Sequence, residues 1–318
     1  MDTVQRRLRR LFAFRRGVLA VDTGPASLAA RFRAACVVPS AQAVRDYRAM
    51  LLGADDLAST VSGVVLPPEL FDAAPHGRSL PERLRACGIL PGVRADTGQE
   101  QLTASAGDRV TSGLDGLAAR LFRLRELGAA FAVWSTVAGS EVGDRSMQVL
   151  TANSHAAARF AHLCHDLGLV AVVRVGTRVG DAAGPRRDAT MAAALLSVGG
   201  HFDDQDVDTA AVVICAELGS DGGRDVASRP LAVLPGRLGG VLLSGRGAAV
   251  ADATAAVAAG VALVPPWPVS FYAGRHVTVP ALQAWRGGAG SVADGQRALL
   301  GGLEAVSAAA APAVRAGW

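Results

Sequence analysis

Short β-branched runs recur along the chain at wide spacing, and a helical pattern follows each. They are GVLAVD (17–22), VSGVVLP (61–67), GILPGVRAD (88–96), FAVWSTV (131–137), LVAVVRV (169–175), AAVVICAE (210–217), GGVLLSG (239–245) and WPVSFYAG (267–274). Continuous apolar runs with polar ends suit strands covered on both faces, and strands alternating with helices build a parallel sheet. Eight strand–helix units predict an α/β fold, a TIM (β/α)8 barrel. The pattern gives one domain over residues 1–318, with an N-terminal helix in 1–16 and a helical tail over 292–318.

Between the strands, LDGLAARLFRLRELG (114–128) sets Leu114, Leu117, Leu121 and Leu124 on one stripe and closes on Gly128. NSHAAARFAHLCHDLG (153–168) opens with a capping Asn or Ser, VADATAAVAAG (250–260) is a third helix, and 292–314 is Ala-rich and helical. The run RRLRRLFAFRR (6–16) reads either as an amphipathic helix with membrane affinity or as a solvated helix entering the domain. DAAGPRRD (181–188) and GSDGGRDVASRP (219–230) read as loops on the catalytic face.

Composition narrows the chemistry. Half of the 318 residues are apolar, ample for a sizeable core. The formal charge of +4 is spread along the chain with no basic, aromatic-laced block, which argues against a nucleic-acid partner. No signal-peptide pattern and no uninterrupted membrane-length apolar stretch occur, so no membrane association is expected. Cys36, Cys87, Cys164 and Cys215 lack disulfide or zinc spacing, which implies reduced thiols and a cytoplasmic location. His162 and His165 stand three apart on one helix without a third ligand, so neither metal nor cofactor is expected. All 32 basic residues are Arg. No side chain can therefore form an imine with a carbonyl, as lysine catalysis requires.

Chemistry-bearing residues gather at the strand C-termini, the catalytic end of such barrels. They are Asp22, Arg94 with Asp96, Ser135, Arg174, Cys215 with Glu217, Ser244, and the pair Gly274–Arg275 followed by His276. Any one could be a structural charge at a barrel rim; together they read as a site. Ser244–Gly245, Gly274–Arg275, Arg31 and Arg246 suit an anion, because small residues let backbone N–H groups approach it and guanidinium groups clamp it.

The words RRGVLAVDTGPASLAARF, VSGVVLPPELF, GILPGVRADTG, SGLDGLAARLFRLRELGAAFAVWS, LLSG and WPVSFYAGR run collinearly along nearly the whole chain. They resemble the class I fructose-bisphosphate aldolases. The resemblance implies a commonly tetrameric TIM barrel that cleaves fructose 1,6-bisphosphate through a lysine Schiff base. Carried over by position, it implies an active-site Asp at Asp22 and another at Asp96. It also implies phosphate contacts at Arg31, Ser244–Gly245 and Gly274–Arg275. Where the family has Lys, this chain has Arg94, Val133 and, at the imine position, Cys215; a family Arg is Ser135, and two family Glu are Arg174 and Gly176.

Two functions remain open. In one, the chain is a changed enzyme acting on an anionic, phosphorylated carbonyl metabolite by enolisation or lysine-independent lyase chemistry. Asp22, Asp96 or Glu217 would then serve as acid or base beside Arg94 and Arg174, with Ser135 in the substrate pocket. Neighbouring arginines would favour a Cys215 thiolate, although a lone Cys on an apolar strand also reads as core packing. In the other, the chain is a non-catalytic homologue that keeps an anion pocket for binding or regulation.

Overall fold

A computed structural model describes residues 3–72, 77–102, 109–137, 144–176, 185–219, 229–245 and 249–311. The strands are β1 (Gly17–Ala20), β2 (Val61–Leu66), β3 (Leu90–Arg94), β4 (Gly98–Gln101), β5 (Arg109–Ser112), β6 (Phe131–Val137), β7 (Val170–Gly176), β8 (Val212–Leu218), β9 (Gly240–Gly245) and β10 (Val269–Ala273). Eight of them close a barrel in the order β1-β10-β9-β8-β7-β6-β3-β2, and every pair in it is parallel. Each of the eight apolar runs supplies one barrel strand.

Side-chain alternation divides every barrel strand between two cores. On β8, Val212, Ile214, Ala216 and Leu218 face the outer helices. Val213 and Cys215 face inward, joining Val18, Ala20, Val65, Leu90, Phe131, Val133, Val172, Leu242 and Tyr272 in the barrel interior. Phe131 fills the centre because β3 offers it a glycine. A Cβ on Gly92 would sit 2.1 Å from the Phe131 ring, a separation no real structure tolerates.

The N-terminal helix is a plug rather than a solvated or membrane-seeking segment. Thr3–Leu11 buries Val4, Leu8 and Leu11, and with Phe12 these join the interior cluster. Its polar face clamps the surrounding turns, with Gln5 donating to the Ala210 carbonyl at 3.2 Å and Arg10 to the Gly88 carbonyl at 3.3 Å. The amphipathic pattern was legible; its partner was not, because a helix pattern does not say which surface covers it. Among the described residues, no helix is long and apolar enough to cross a membrane.

Two other expectations change, and one strand pairing is new. The helix expected to begin near Asn153 runs over Asp144–Asp166, so Asn153 is mid-helix and no cap. Its buried side chain accepts from the Thr111 N–H at 2.8 Å and donates to the carbonyls of Arg109 (3.2 Å) and Val137 (3.1 Å). It thereby ties β5 to the end of β6. DAAGPRRD is not all loop, since a helix starts at Pro185 and runs to Asp204. Proline suits a helical first turn, where its missing N–H costs nothing; 177–184 and 220–228 lie outside the described residues. The antiparallel pair β4–β5 was not foreseen. Of the helical tail expected over 292–318, Val292–Ala310 is helix, packed through Leu299, Leu303 and Val306, and 312–318 lie outside the described residues.

Candidate active site

At the C-terminal end of the barrel the interior opens into a cavity of about 900 Å³. Five arginines line it, Arg31, Arg94, Arg109, Arg174 and Arg275, against three carboxyl groups, Asp22, Asp96 and Glu217. With all three acids ionised, the described residues of the walls carry two more positive charges than negative ones. Such a cavity favours an anion.

Two ion pairs form the floor. Arg94, at the end of β3, gives Asp96 two hydrogen bonds to one oxygen, from Nε at 2.9 Å and Nη2 at 2.6 Å. Backbone N–H groups of Gly98 and Ser135 complete the carboxylate at 3.1 Å each. With its side chain 1 % exposed, Asp96 is a fully satisfied, buried anion. Burial alone would lower Arg94, but the hydrogen bonds and charge of Asp96 outweigh it and hold the guanidinium protonated. Arg174 on β7 donates from Nη2 to Oε2 of Glu217 on β8 at 3.0 Å.

Asp22 differs from both. Among the described residues no basic group lies within ion-pair distance of it, yet Arg94 and Arg174 act on it through their charge. Burial pushes its carboxyl above the ordinary value, against the pull of those two arginines. A carboxyl that is uncommitted and raised is the one suited to proton transfer.

The rim gathers groups suited to an anion. Arg31, on the helix Pro25–Ala34, donates to Thr23 Oγ1 at 3.2 Å and has no carboxylate partner among the described residues. Burial first, with the charge of Arg275 beside it, eases Arg31 below the ordinary arginine value. Arg275 begins the helix Arg275–Trp285, so that helix N-terminus opens on the cavity through Gly274 and Arg275. Ser244 and Gly245 end the neighbouring strand β9 beside it. Gly245 is required there, because a Cβ would meet the Ala253 backbone at 2.4 Å. Arg246 lies outside the described residues.

Cys215 stands apart from this assembly. It is buried in the barrel interior beneath the cavity, and the inward-facing residue of β8 that reaches the cavity is Glu217. The expectation of a thiolate is reversed. Burial pushes the thiol up to about 12, and the opposing charge of Arg174 does not offset it. Val133, at another family lysine position, lies in the same dry layer.

Sequence reasoning missed Tyr272. It lies on β10, two residues before Gly274, so alternation puts it on the same inward face. That signal was present in WPVSFYAG. Arg109, Gly98 and Gln99 also line the cavity, and they escaped because β4–β5 was not foreseen. His276 lines the cavity too, and its Nε2 is buried without a hydrogen-bond partner among the described residues. Among the described residues no cluster of His, Cys, Asp and Glu is arranged to hold a metal.

The model of the family described as fructose-bisphosphate aldolase class-I matches residues 4–179, more than half of the chain. The chain belongs to the class I fructose-bisphosphate aldolase family. A probable fructose-bisphosphate aldolase class 1 from Xylella fastidiosa is 32% identical over 291 residues, covering 85% of each chain. The cytoplasmic isozyme of fructose-bisphosphate aldolase from Cicer arietinum is 27% identical over 301 residues, 90% of this chain and 84% of that one. The solved fructose-bisphosphate aldolase from Plasmodium falciparum, in complex with TRAP and a small-molecule inhibitor, superposes with a TM-score of 0.85. It spans 99% of this chain and 96% of that one at 24% identity, a likeness of fold. This aldolase-family member thus keeps the barrel while carrying no lysine at all.

Proposed function

We propose that this member of the aldolase family acts on a phosphorylated or otherwise anionic carbonyl metabolite by enolisation or lyase chemistry that needs no lysine. One observation carries the reading: a cavity whose described residues carry two more positive charges than negative ones, at whose floor one raised carboxyl, Asp22, has no ion-pair partner among the described residues. Arg31, Arg275, Ser244–Gly245 and Gly274 hold the phosphate at the rim, with Arg246 as a further candidate. Arg94 and Arg174 supply the positive field on the floor, and Asp22 moves the proton. Asp96 and Glu217 orient those arginines, Ser135 lines the wall, and Cys215 is packing. The reading includes a cytoplasmic, homo-oligomeric protein, supported by the family.

A second reading rests on the same ion pairs. Asp96 is satisfied on both oxygens, and Glu217 is bound by Arg174. With those acids committed, the cavity suits a non-catalytic anion-binding homologue.

A panel containing dihydroxyacetone phosphate, fructose 1,6-bisphosphate and other sugar phosphates separates the two when thermal stabilisation and product formation are followed together. Stabilisation with turnover, lost in Asp22→Asn, is the expected outcome. Stabilisation without turnover across the panel selects the binding homologue, and no stabilisation by any phosphate rejects both.

A further inference from the structure

We propose that the Tyr272 hydroxyl and the Arg174 guanidinium together form the electrophilic site of this barrel, the pair of donors that receives the substrate's carbonyl oxygen. The inference rests on the anionic-carbonyl reading above and gives it a further catalytic residue.

Tyr272 belongs to the inward face of β10 and is almost wholly buried, 5 % exposed, yet it lines the cavity. A buried tyrosine ordinarily places its O–H on a partner. Here the ring is buried but the hydroxyl is not: it makes no hydrogen bond to the described residues and opens on the cavity. The contrast lies in the same chain, where the other tyrosine, Tyr47, donates to the Thr278 carbonyl at 2.8 Å. Arg174 is similarly underused. Among the described residues only its Nη2 is engaged, by Glu217, and its Nε is buried with no partner. The guanidinium carbon lies 5.9 Å from the Tyr272 ring centroid, so both sets of spare donors belong to one part of the floor. Asp22 interacts electrostatically with both.

Two unpartnered donors beside an uncommitted carboxyl are the parts of an enolising site. Asp22 takes a proton from the carbon next to the carbonyl. The C–H electron pair becomes the new C=C bond, and the C=O π pair moves onto oxygen. Hydrogen bonds from Arg174 N–H and Tyr272 O–H hold that oxygen as its charge develops. The proton returns to carbon from Asp22, so no oxidant, reductant or co-reactant is needed. A β-hydroxy carbonyl follows the same flow. Asp22 takes the hydroxyl proton, the C–C bond breaks, and its pair becomes the enolate while an aldehyde departs. The iminium of an amine-bearing barrel is replaced by hydrogen bonds to the carbonyl oxygen itself. The substrate class is then a small phosphorylated ketone, its phosphate at the rim and its carbonyl on the floor.

Two probes isolate the oxygen site: inorganic phosphate, which needs only the rim, and the hydroxamate of phosphoglycolate, whose planar oxygen-bearing head imitates an enediolate. Calorimetric titration of the wild-type chain should find the hydroxamate bound more tightly than phosphate. Tyr272→Phe keeps the ring and should keep phosphate affinity. It should bind the hydroxamate about tenfold to a hundredfold more weakly, the range for a lost hydrogen bond to a charged group. Equal hydroxamate affinity in the two proteins, or no wild-type preference for the hydroxamate over phosphate, overturns the oxygen site and leaves the phosphate rim standing. Failure of the wild type to bind either probe removes the anionic-carbonyl reading and this inference with it. Should Tyr272→Phe not fold, wild-type protein labelled with 3-fluorotyrosine answers the same question, since the chain has 2 tyrosines. The hydroxamate should move the Tyr272 fluorine resonance and phosphate alone should not; a Tyr272 signal indifferent to the hydroxamate overturns the proposal.

Discussion

The barrel interior holds two layers of opposite chemistry on the same strands, and two residues separate them. Val133 lies below Ser135, Val172 below Arg174, Cys215 below Glu217 and Leu242 below Ser244, while Ala20, below Asp22, borders the cavity itself. Alternation gives both members of each pair the same inward direction. Height along the barrel decides the rest. The lower layer is sealed from below by Leu8, Leu11 and Phe12, whereas the upper layer opens on the cavity. Of the three positions where the resemblance implies lost lysines, Val133 and Cys215 fall in the lower layer, whereas Arg94 lines the cavity above. A lysine has a stem long enough to rise from there into the cavity; Val and Cys do not. Val133 and Cys215 pack the floor as apolar side chains, while arginines and carboxylates furnish the layer above.

The comparison breaks hardest if charge is tolerated below the floor. Val133→Asp puts an unpaired carboxylate into a dry layer and should cost more than about 4 kcal/mol, leaving little folded protein. Val137→Asp, the same change on the same strand at the cavity wall, should cost less than about 1 kcal/mol, because water and five arginines are at hand. Urea denaturation followed by circular dichroism measures both, and equal costs would dissolve the distinction between the layers. Arg94→Ala comes next. It leaves the Asp96 carboxylate buried with only its two backbone donors and should cost about 3 kcal/mol by the same assay.

Legibility in the sequence followed the same division. The barrel was readable because strand alternation and helix periodicity are local, and each apolar run carries its own signal. The rim was readable because Ser244–Gly245 and Gly274–Arg275 are contiguous words. What was not legible depends on depth or on distant pairing. Cys215 and Glu217 share a face and differ only in height, so composition could not say which one meets solvent. Nothing in RVTS or GQEQ marks a hairpin, because its anchor is Asn153, in a helix far along the chain. Tyr272 was passed over inside an apolar word, although its alternation with Gly274 was there to be used.

His276 tests the cavity edge through pH. Burial first, and then the charge of Arg275, lower its imidazole to about 4, while Asp252 opposes them. The unfolded chain has the ordinary value near 6.5, so between about 6.5 and 4 it takes up a proton that the folded chain refuses. The stability contributed by neutral His276 is whole above pH 6.5 and is lost as pH falls towards 4, by roughly 3 kcal/mol at most. Comparing wild type with His276→Gln across that window isolates the effect. Parallel curves would mean that the ring reaches solvent freely.

The smallest expected effect bears on the sharpest boundary. If Cys215 belongs to the sealed layer, Cys215→Ala removes one buried sulfur and should cost about 1 kcal/mol. Phosphate affinity and any turnover should not change, since Glu217 rather than Cys215 reaches the cavity. Alkylation gives an independent reading in the wild-type chain. Cys36 and Cys87 are exposed, whereas Cys164 and Cys215 are buried. Burial raises both buried thiols, so neither supplies the thiolate that attacks iodoacetamide. Mass spectrometry of the folded protein should find two alkylated cysteines, and all four only after denaturation. Rapid native labelling at Cys215, or turnover lost in Cys215→Ala with stability intact, would move the cavity floor one step down the strand and make the thiol part of the chemistry.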